Sequence, residues 1–329
     1  MMAAATGTTS LLGGLRDAIS QRPTLNRALP AIVSLAILLA VAGALIPSFL
    51  LPERLLMLGQ QVAPLALVAI GQTLVVLIGG IDLSVGSVLT FSLVLGAGIA
   101  RGSNEMLPLA ILVCLGAGAA IGAVNGLLVT RLRLPALIST LATAVMVDGA
   151  AWVYTNGAPN GSMPELLQYA ANGKLGIVPV ADVIVALVFA AVLVLLTRTV
   201  FGRRLYAVGA NPRTARLTGI RVEHITVTAY VLCGVLAAAA GLMLGGYIAV
   251  GSLKAGEAYV LNSLAVVLIG GTSLSGGEGG VVGTIIGVAI LAVLTALLIQ
   301  LGVPIALRSV LLAIIVVVGA ILQGRRMAT

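Results

Sequence analysis

The sequence predicts an all-α integral membrane protein of about ten transmembrane helices, and three observations predict it. Of the 329 residues, 60% are hydrophobic and 9% charged, with a mean hydropathy of +1.19, whereas a soluble domain has roughly 25% charged residues. The apolar residues fall into windows of about 20 separated by short polar joints, the length a helix needs to cross a bilayer. The third observation excludes the other membrane architecture: the windows lack the alternation of apolar and polar residues that marks an outer-membrane barrel.

Composition narrows the function classes. The net charge is +8 and the isoelectric point about 10.2, but the arginines sit between apolar windows. Aromatic residues are 3% of the chain, with no basic stripe interleaved with stacking rings, so no nucleic-acid partner is expected. Cys114 and Cys233 lie inside apolar windows and read as small buried hydrophobes. Glycine, at 41 residues, exceeds the usual share of about 7% and points to close helix packing and broken helices.

Taken in order, residues 1–30 carry Arg16, Arg22 and Arg27 against Asp17 and are expected to be a cytoplasmic segment. Ala31–Leu50 reads as an uncleaved first span, because a cleavable signal would have a shorter apolar region and an A-x-A-like end. Further windows are Leu55–Ile78, Ser84–Ala100, Met106–Val129, Leu134–Tyr154, Val178–Val200, Ile225–Val250, Tyr259–Gly270, Val281–Leu301 and Pro304–Leu322. Ser84–Ala100 and Tyr259–Gly270 are short for a crossing and read as half-helices. The expected membrane domain is thus 31–323, with a cytoplasmic loop at 201–223 and a tail at 324–329. Arginines in short loops set the orientation. With the amino terminus inside, Arg131, Arg133, the cluster Arg198–Arg221, Arg325 and Arg326 all fall inside, and 156–176 becomes the longest external loop. Both termini are then cytoplasmic.

The run VVLIGGIDLSVG at Val75–Gly86 recurs as VVLIGGTSLSGG at Val266–Gly277. Internal repeats are common in transporters, whose halves build a site from discontinuous helices. The topology makes the copies parallel; a re-entrant copy would make them inverted. Glycine pairs release the backbone from helical geometry, which at membrane depth is tolerated where it lines water or protein. Two readings are open: a pathway lining, or cytoplasmic turns in which Asp82 or Ser273 caps a helix.

Three stretches, GQTLVVLIGGIDLSVGS (Gly71–Ser87), GRRLYAVGANPRTARLTGI (Gly202–Ile220) and LNSLAVVLIGGTSLSGGEGGVVGT (Leu261–Thr284), resemble the permease subunit of ribose-type sugar ABC importers, within the branched-chain amino acid and sugar permease superfamily. The resemblance runs from about Ile32 to Arg326. It implies a fold like that of the type II, vitamin B12-type importer permeases, in a bacterial inner membrane. It also implies a second permease copy, identical or paralogous, a cytoplasmic ATPase that often carries two cassettes in one chain, and a periplasmic sugar-binding protein. The chain itself has no G-x-x-x-x-G-K-[ST] loop, and its lysines are Lys174 and Lys254, so ATP and magnesium are expected on the partner and no cofactor on this chain.

Within 201–223, Asn211 suits an N-cap, Pro212 the first helical position and Gly219 the residue past the end, which predicts a helix of about two turns. It presents Arg213, Arg216 and Leu217, with Arg203 and Arg204 just before it. The resemblance implies that this is the coupling helix seated on the ATPase. The residues alone also allow arginines that set orientation and touch anionic lipid.

Ionisable groups within spans cost roughly 2.5 to 3.5 kcal/mol on insertion scales and are functional candidates by default. Asp82 matches the family's acid. Asp148 stands near a place where the family usually has a basic residue, and the family's phenylalanine is replaced by Ala136; Asp148 can accept sugar hydroxyls or pair with an arginine. Gln72, Thr73, Ser84, Asn125, Asn262, Thr272 and Ser273 complete the candidate substrate pathway, because neutral polyols need scattered hydroxyls and amides. Gln60, Gln61, Ser139 and Thr140 offer the same chemistry. Trp152 and Tyr154 read as interfacial anchors. Glycines at 118, 122 and 126, and at 279, 283 and 287, are expected to form contact seams, within a subunit or between two.

Three rival classes make distinct demands. A secondary transporter needs an ion-coupling site, for which Asp82 and Asp148 are the available carboxylates. An intramembrane hydrolase needs a base near Ser273, and His224 lies beside Arg221 and Glu223 at the start of another span. A channel needs a ring of charge or a filter. The expected function is an ATP-driven sugar importer's permease, with a permease for a non-sugar solute such as a branched-chain amino acid as the alternative.

Overall fold

A computed structural model describes residues 23–304 and five positions between 307 and 314; the expected tenth span, the first 22 residues and the tail lie outside or largely outside this range. The regular elements of the described chain are helical apart from one hairpin of two-residue strands and an isolated bridge between Ser162 and Val250. In order it forms α1 (Pro23–Leu45), a single 3₁₀ turn (Pro47–Leu50), α2 (Pro52–Leu77), α3 (Val85–Ala100), α4 (Leu107–Thr130), α5 (Ala136–Thr155) and α6 (Glu165–Asn172). After the hairpin β1 (Lys174–Leu175) and β2 (Val178–Pro179) come α7 (Val180–Arg198), α8 (Val200–Ala210), α9 (Pro212–Leu217), α10 (Val222–Ile248), α11 (Glu257–Ile269) and α12 (Val281–Gln300).

Among the described residues, six helices are long and apolar enough to cross a membrane: α2, α4, α5, α7, α10 and α12. The loop expected at 156–176 differs from expectation, since it contains α6 and the start of the hairpin. Helix α6 is tied to the bundle by polar bonds that periodicity does not reveal: Gln60 Nε2 donates to the Ala171 carbonyl at 2.9 Å and Asn172 Nδ2 to that of Gly246 at 3.1 Å.

Helix α10 is the axis of the bundle, packed against α4, α2 and α3. Its closeness to α4 follows from the glycine stripe. A β-carbon at Gly118 or Gly122 would collide with the carbonyl oxygen of Gly234 or Tyr230, and one at Gly126 would lie 2.7 Å from the Val227 Cα. Backbones meet there without intervening side chains, so this seam is internal to one chain. The second stripe is internal too: Gly283 lies against Gly270, and Gly287 against the Val266 carbonyl, joining α12 to α11.

Helices α3 and α11 have 16 and 13 residues, about 24 and 20 Å at 1.5 Å per residue, each short of a hydrocarbon core of about 30 Å. Their amino-terminal ends meet. A β-carbon at Gly86 would lie 2.6 Å from the Gly256 carbonyl oxygen, one at Gly256 would strike the Gly86 carbonyl, and the Gly256 amide donates to Thr90 Oγ1 at 2.9 Å. The segment before α11 descends along α3, from Gly251 beside Ala97 to Gly256 beside Gly86. The two short helices therefore meet at their amino-terminal ends, and turns precede both of them.

Candidate functional site

The first glycine motif closes α2. Gly79 has φ +74°, its amide donates to the Val76 carbonyl at 2.9 Å and that of Gly80 to Val75 at 2.9 Å. These paired bonds satisfy the last helical carbonyls and need a left-handed residue, which glycine adopts without cost. The chain then runs through residues 78–84 to α3, with Gly80, Asp82 and Ser84 buried. Asp82 is 1% exposed. Its Oδ1 accepts from the Ser84 amide at 2.9 Å and from Ser84 Oγ at 2.6 Å, and Asn125 Nδ2 lies 3.4 Å away while donating to Ser84 Oγ at 2.8 Å. An acid buried at this depth is tolerable because it is hydrogen-bonded and sits at the amino-terminal end of α3, where the helix dipole favours negative charge.

Four helices fix this loop. With its nitrogen facing the Asp82 carbonyl at 3.2 Å and its oxygen the Asp82 amide at 3.3 Å, the Gln72 amide of α2 pairs with the loop backbone. Asn125 comes from α4. From α5, the Thr140 hydroxyl accepts from the Leu83 amide at 3.1 Å and donates to Ala136 at 2.9 Å, and from α10 the Tyr230 hydroxyl donates to Ile81 at 3.4 Å. Asn125 Oδ1 is a buried acceptor without a partner among the described residues.

The second motif closes α11 in the same way, shifted by one residue. Gly271 has φ +88°, its amide donates to Leu268 at 2.8 Å, and that of Thr272 to Val267 at 3.2 Å. A tight turn bonded to itself comes next: the Ser273 amide donates to Glu278 at 3.0 Å, Ser273 Oγ accepts from Ser275 at 3.2 Å and Thr272 Oγ1 from Gly280 at 3.2 Å. Thr73 in α2 meets Thr284 in α12, hydroxyl to hydroxyl, at 2.7 Å. The two motif copies touch, since the Gly277 amide donates to the Leu77 carbonyl at 2.8 Å. Helices α2 and α11 thus end side by side, and the copies are parallel.

Helix α9 stands at this same end. Asn211 Oδ1 accepts from the amides of Arg213 and Thr214, both at 3.0 Å, Pro212 occupies the first turn, and Gly219 has φ +83°. The predicted capping is therefore met at each position. Ala215 is the helix's buried residue, whereas Arg213 and Arg216 are exposed and Leu217 is 84% exposed. Arg203 and Arg204 are exposed on α8. Arg216 pairs with Glu223 at 2.8 Å, a partnership that sequence reasoning misses.

The remaining candidates are dispersed. Asp148 lies on the exposed face of α5 and does not join the Asp82 cluster; Asn262 is half-buried on α11. Gln60 serves α6, as described above. His224 is exposed at the start of α10, and Trp152 and Tyr154 are partly exposed near the end of α5. Besides Glu223, sequence reasoning misses Tyr230 and Thr284. Each faces its partner from far along the chain, and no local pattern marks it.

The chain matches the family model described as branched-chain amino acid transport system / permease component over residues 54–320. It is 40% identical to the ribose import permease protein RbsC of Bacillus subtilis (strain 168), over 90% of this chain and 92% of that one. Identity to the RbsC protein of Escherichia coli (strain K12) is 37%, over 90% and 93% of the two chains. The autoinducer 2 import system permease protein LsrC of Enterobacter sp. (strain 638) is 33% identical, over 91% of this chain and 87% of that one. No solved structure matches the chain.

Proposed function

The chain belongs to the branched-chain amino acid transport system / permease component family, and from that premise we propose that it is the permease of an ATP-driven importer for ribose or a similar monosaccharide. The observation that carries the substrate class is the likeness, over nine-tenths of the chain, to proteins named as ribose import permeases. ATP and magnesium belong to a separate cytoplasmic ATPase, a periplasmic binding protein delivers the sugar, and a second permease copy completes the path. The fold is of the vitamin B12 importer type, with ten spans, both termini in the cytoplasm and the membrane domain at 31–323.

Helix α9 is the coupling element. A short capped helix with an apolar tip at Leu217, rimmed by Arg213 and Arg216 and backed by Arg203 and Arg204, fits a groove on a partner rather than lipid. Asp82, Ser84, Asn125 and Gln72 line the path where the two half-helices abut, and Thr73, Thr272, Ser273 and Asn262 continue it toward the coupling end. Asn125 Oδ1 supplies an acceptor for a sugar hydroxyl. Asp148, on the exposed face of α5, meets the sugar or an arginine across the subunit interface, where a charge is better tolerated than in lipid.

Two experiments test the reading. Uptake into vesicles holding the complete importer and its binding protein, compared for ribose, galactose, xylose and leucine, should favour a monosaccharide; preference for leucine would overturn the substrate class. Arg213→Glu with Arg216→Glu should abolish uptake and ATPase co-purification while the chain still inserts. Normal uptake would defeat the coupling role.

A further inference from the structure

Helix α8 connects α9 to both glycine motifs. At its end Gly209 is wedged between them: a β-carbon there would collide with the Leu77 carbonyl oxygen of the first motif and with the Gly277 amide of the second, the two atoms already hydrogen-bonded to each other at 2.8 Å. One residue on, Ala210 lies against Gly277, whose own β-carbon would sit 2.7 Å from the Ala210 backbone. One turn earlier, the Tyr206 hydroxyl donates to the Gly279 carbonyl at 2.8 Å. Asn211, the cap of α9, follows Ala210 without a linker.

We propose that Tyr206 and Gly209 are positioning residues that transmit movement of α9 to the two motif loops, and through Leu77 to the loop that carries Asp82. Backbone packed on backbone has no side-chain slack to absorb a displacement, because close-packed interiors transmit strain. The Tyr206 hydrogen bond makes the contact pull as well as push. A rigid tie also explains the glycines by sequence position: Gly209 admits Leu77 and Gly277 together, and Gly277, at φ +74°, turns its amide toward Leu77. The inference rests on the coupling role of α9 and extends it inward.

The test uses the complete importer in vesicles, with ribose as the probe, and reads ribose taken up per ATP hydrolysed together with ATPase co-purification. Tyr206→Phe removes the hydroxyl without adding bulk and should lower the uptake-to-hydrolysis ratio about fivefold, as for one lost hydrogen bond, with co-purification and basal hydrolysis kept. Gly209→Ala should lower the ratio further. A wild-type ratio in Tyr206→Phe overturns the proposal, even if Gly209→Ala fails to fold. Loss of ATPase co-purification in Tyr206→Phe also overturns it, because the residue would then serve docking. Arg213→Glu with Arg216→Glu separates the two ideas: normal uptake there defeats the coupling role of α9, whereas a normal Tyr206→Phe beside an inactive arginine variant defeats the relay alone.

Discussion

At the scale of single residues, Asp82 concentrates the most interactions. Removing its carboxylate leaves the Ser84 amide and hydroxyl and the Asn125 amide without their shared acceptor. Leaving buried donors without their acceptor costs about 1 to 3 kcal/mol, so Asp82→Ala should lower the unfolding temperature in detergent and abolish uptake, whereas Asp82→Asn, which keeps one acceptor oxygen, should lose less. Equal stability of Asp82→Ala and the parent in a thermal melt would show that the loop is held by the other contacts. The motif makes Asp82 and Ser84 legible in the sequence, because an acid two residues before the helix's N-cap residue is a local signal. Thr140 reads as a polar side chain of unassigned direction, and Tyr230 is not legible at all: its bond to Ile81 joins segments distant in sequence. Asp148 is exposed on α5, apart from these residues, because one helical position decides which face a side chain takes.

At the scale of elements, glycine has two uses that substitution separates. Gly122→Ala would drive a methyl group into the Tyr230 carbonyl, and such overpacking costs about 1 to 3 kcal/mol. A methyl group at Gly116, on the same helix, would meet nothing within 4 Å, so Gly116→Ala should be neutral or stabilise by up to about 1 kcal/mol through helix propensity. Thermal unfolding of the two variants in one detergent checks the pair; equal shifts would contradict the seam. The stripe is legible as a spacing, but its partner is not, because every fourth glycine makes a smooth face without saying what rests on it. The capping of α9 is fully legible, since Asn211, Pro212 and Gly219 act within a few residues of one another. Helix α6 is not, because its eight residues lie amid glycine, asparagine and proline and read as loop.

At the scale of the molecule, two short helices meet head to head, two glycine motifs meet side by side, and the exposed helix α9 is joined to the motifs through α8. The repeat predicts paired ends, and its parallel form follows from the Leu77–Gly277 bond; contact between the copies is beyond the sequence, because a repeat fixes similarity and not proximity. The chain is a transport subunit and ATP is hydrolysed by a separate component, so the most direct measurement is uphill sugar accumulation in vesicles holding the purified permease, with and without its ATPase and binding protein. The account predicts accumulation that requires ATP and both partners, and none from the permease alone. Accumulation by the permease alone, driven by a proton or sodium gradient, would contradict it.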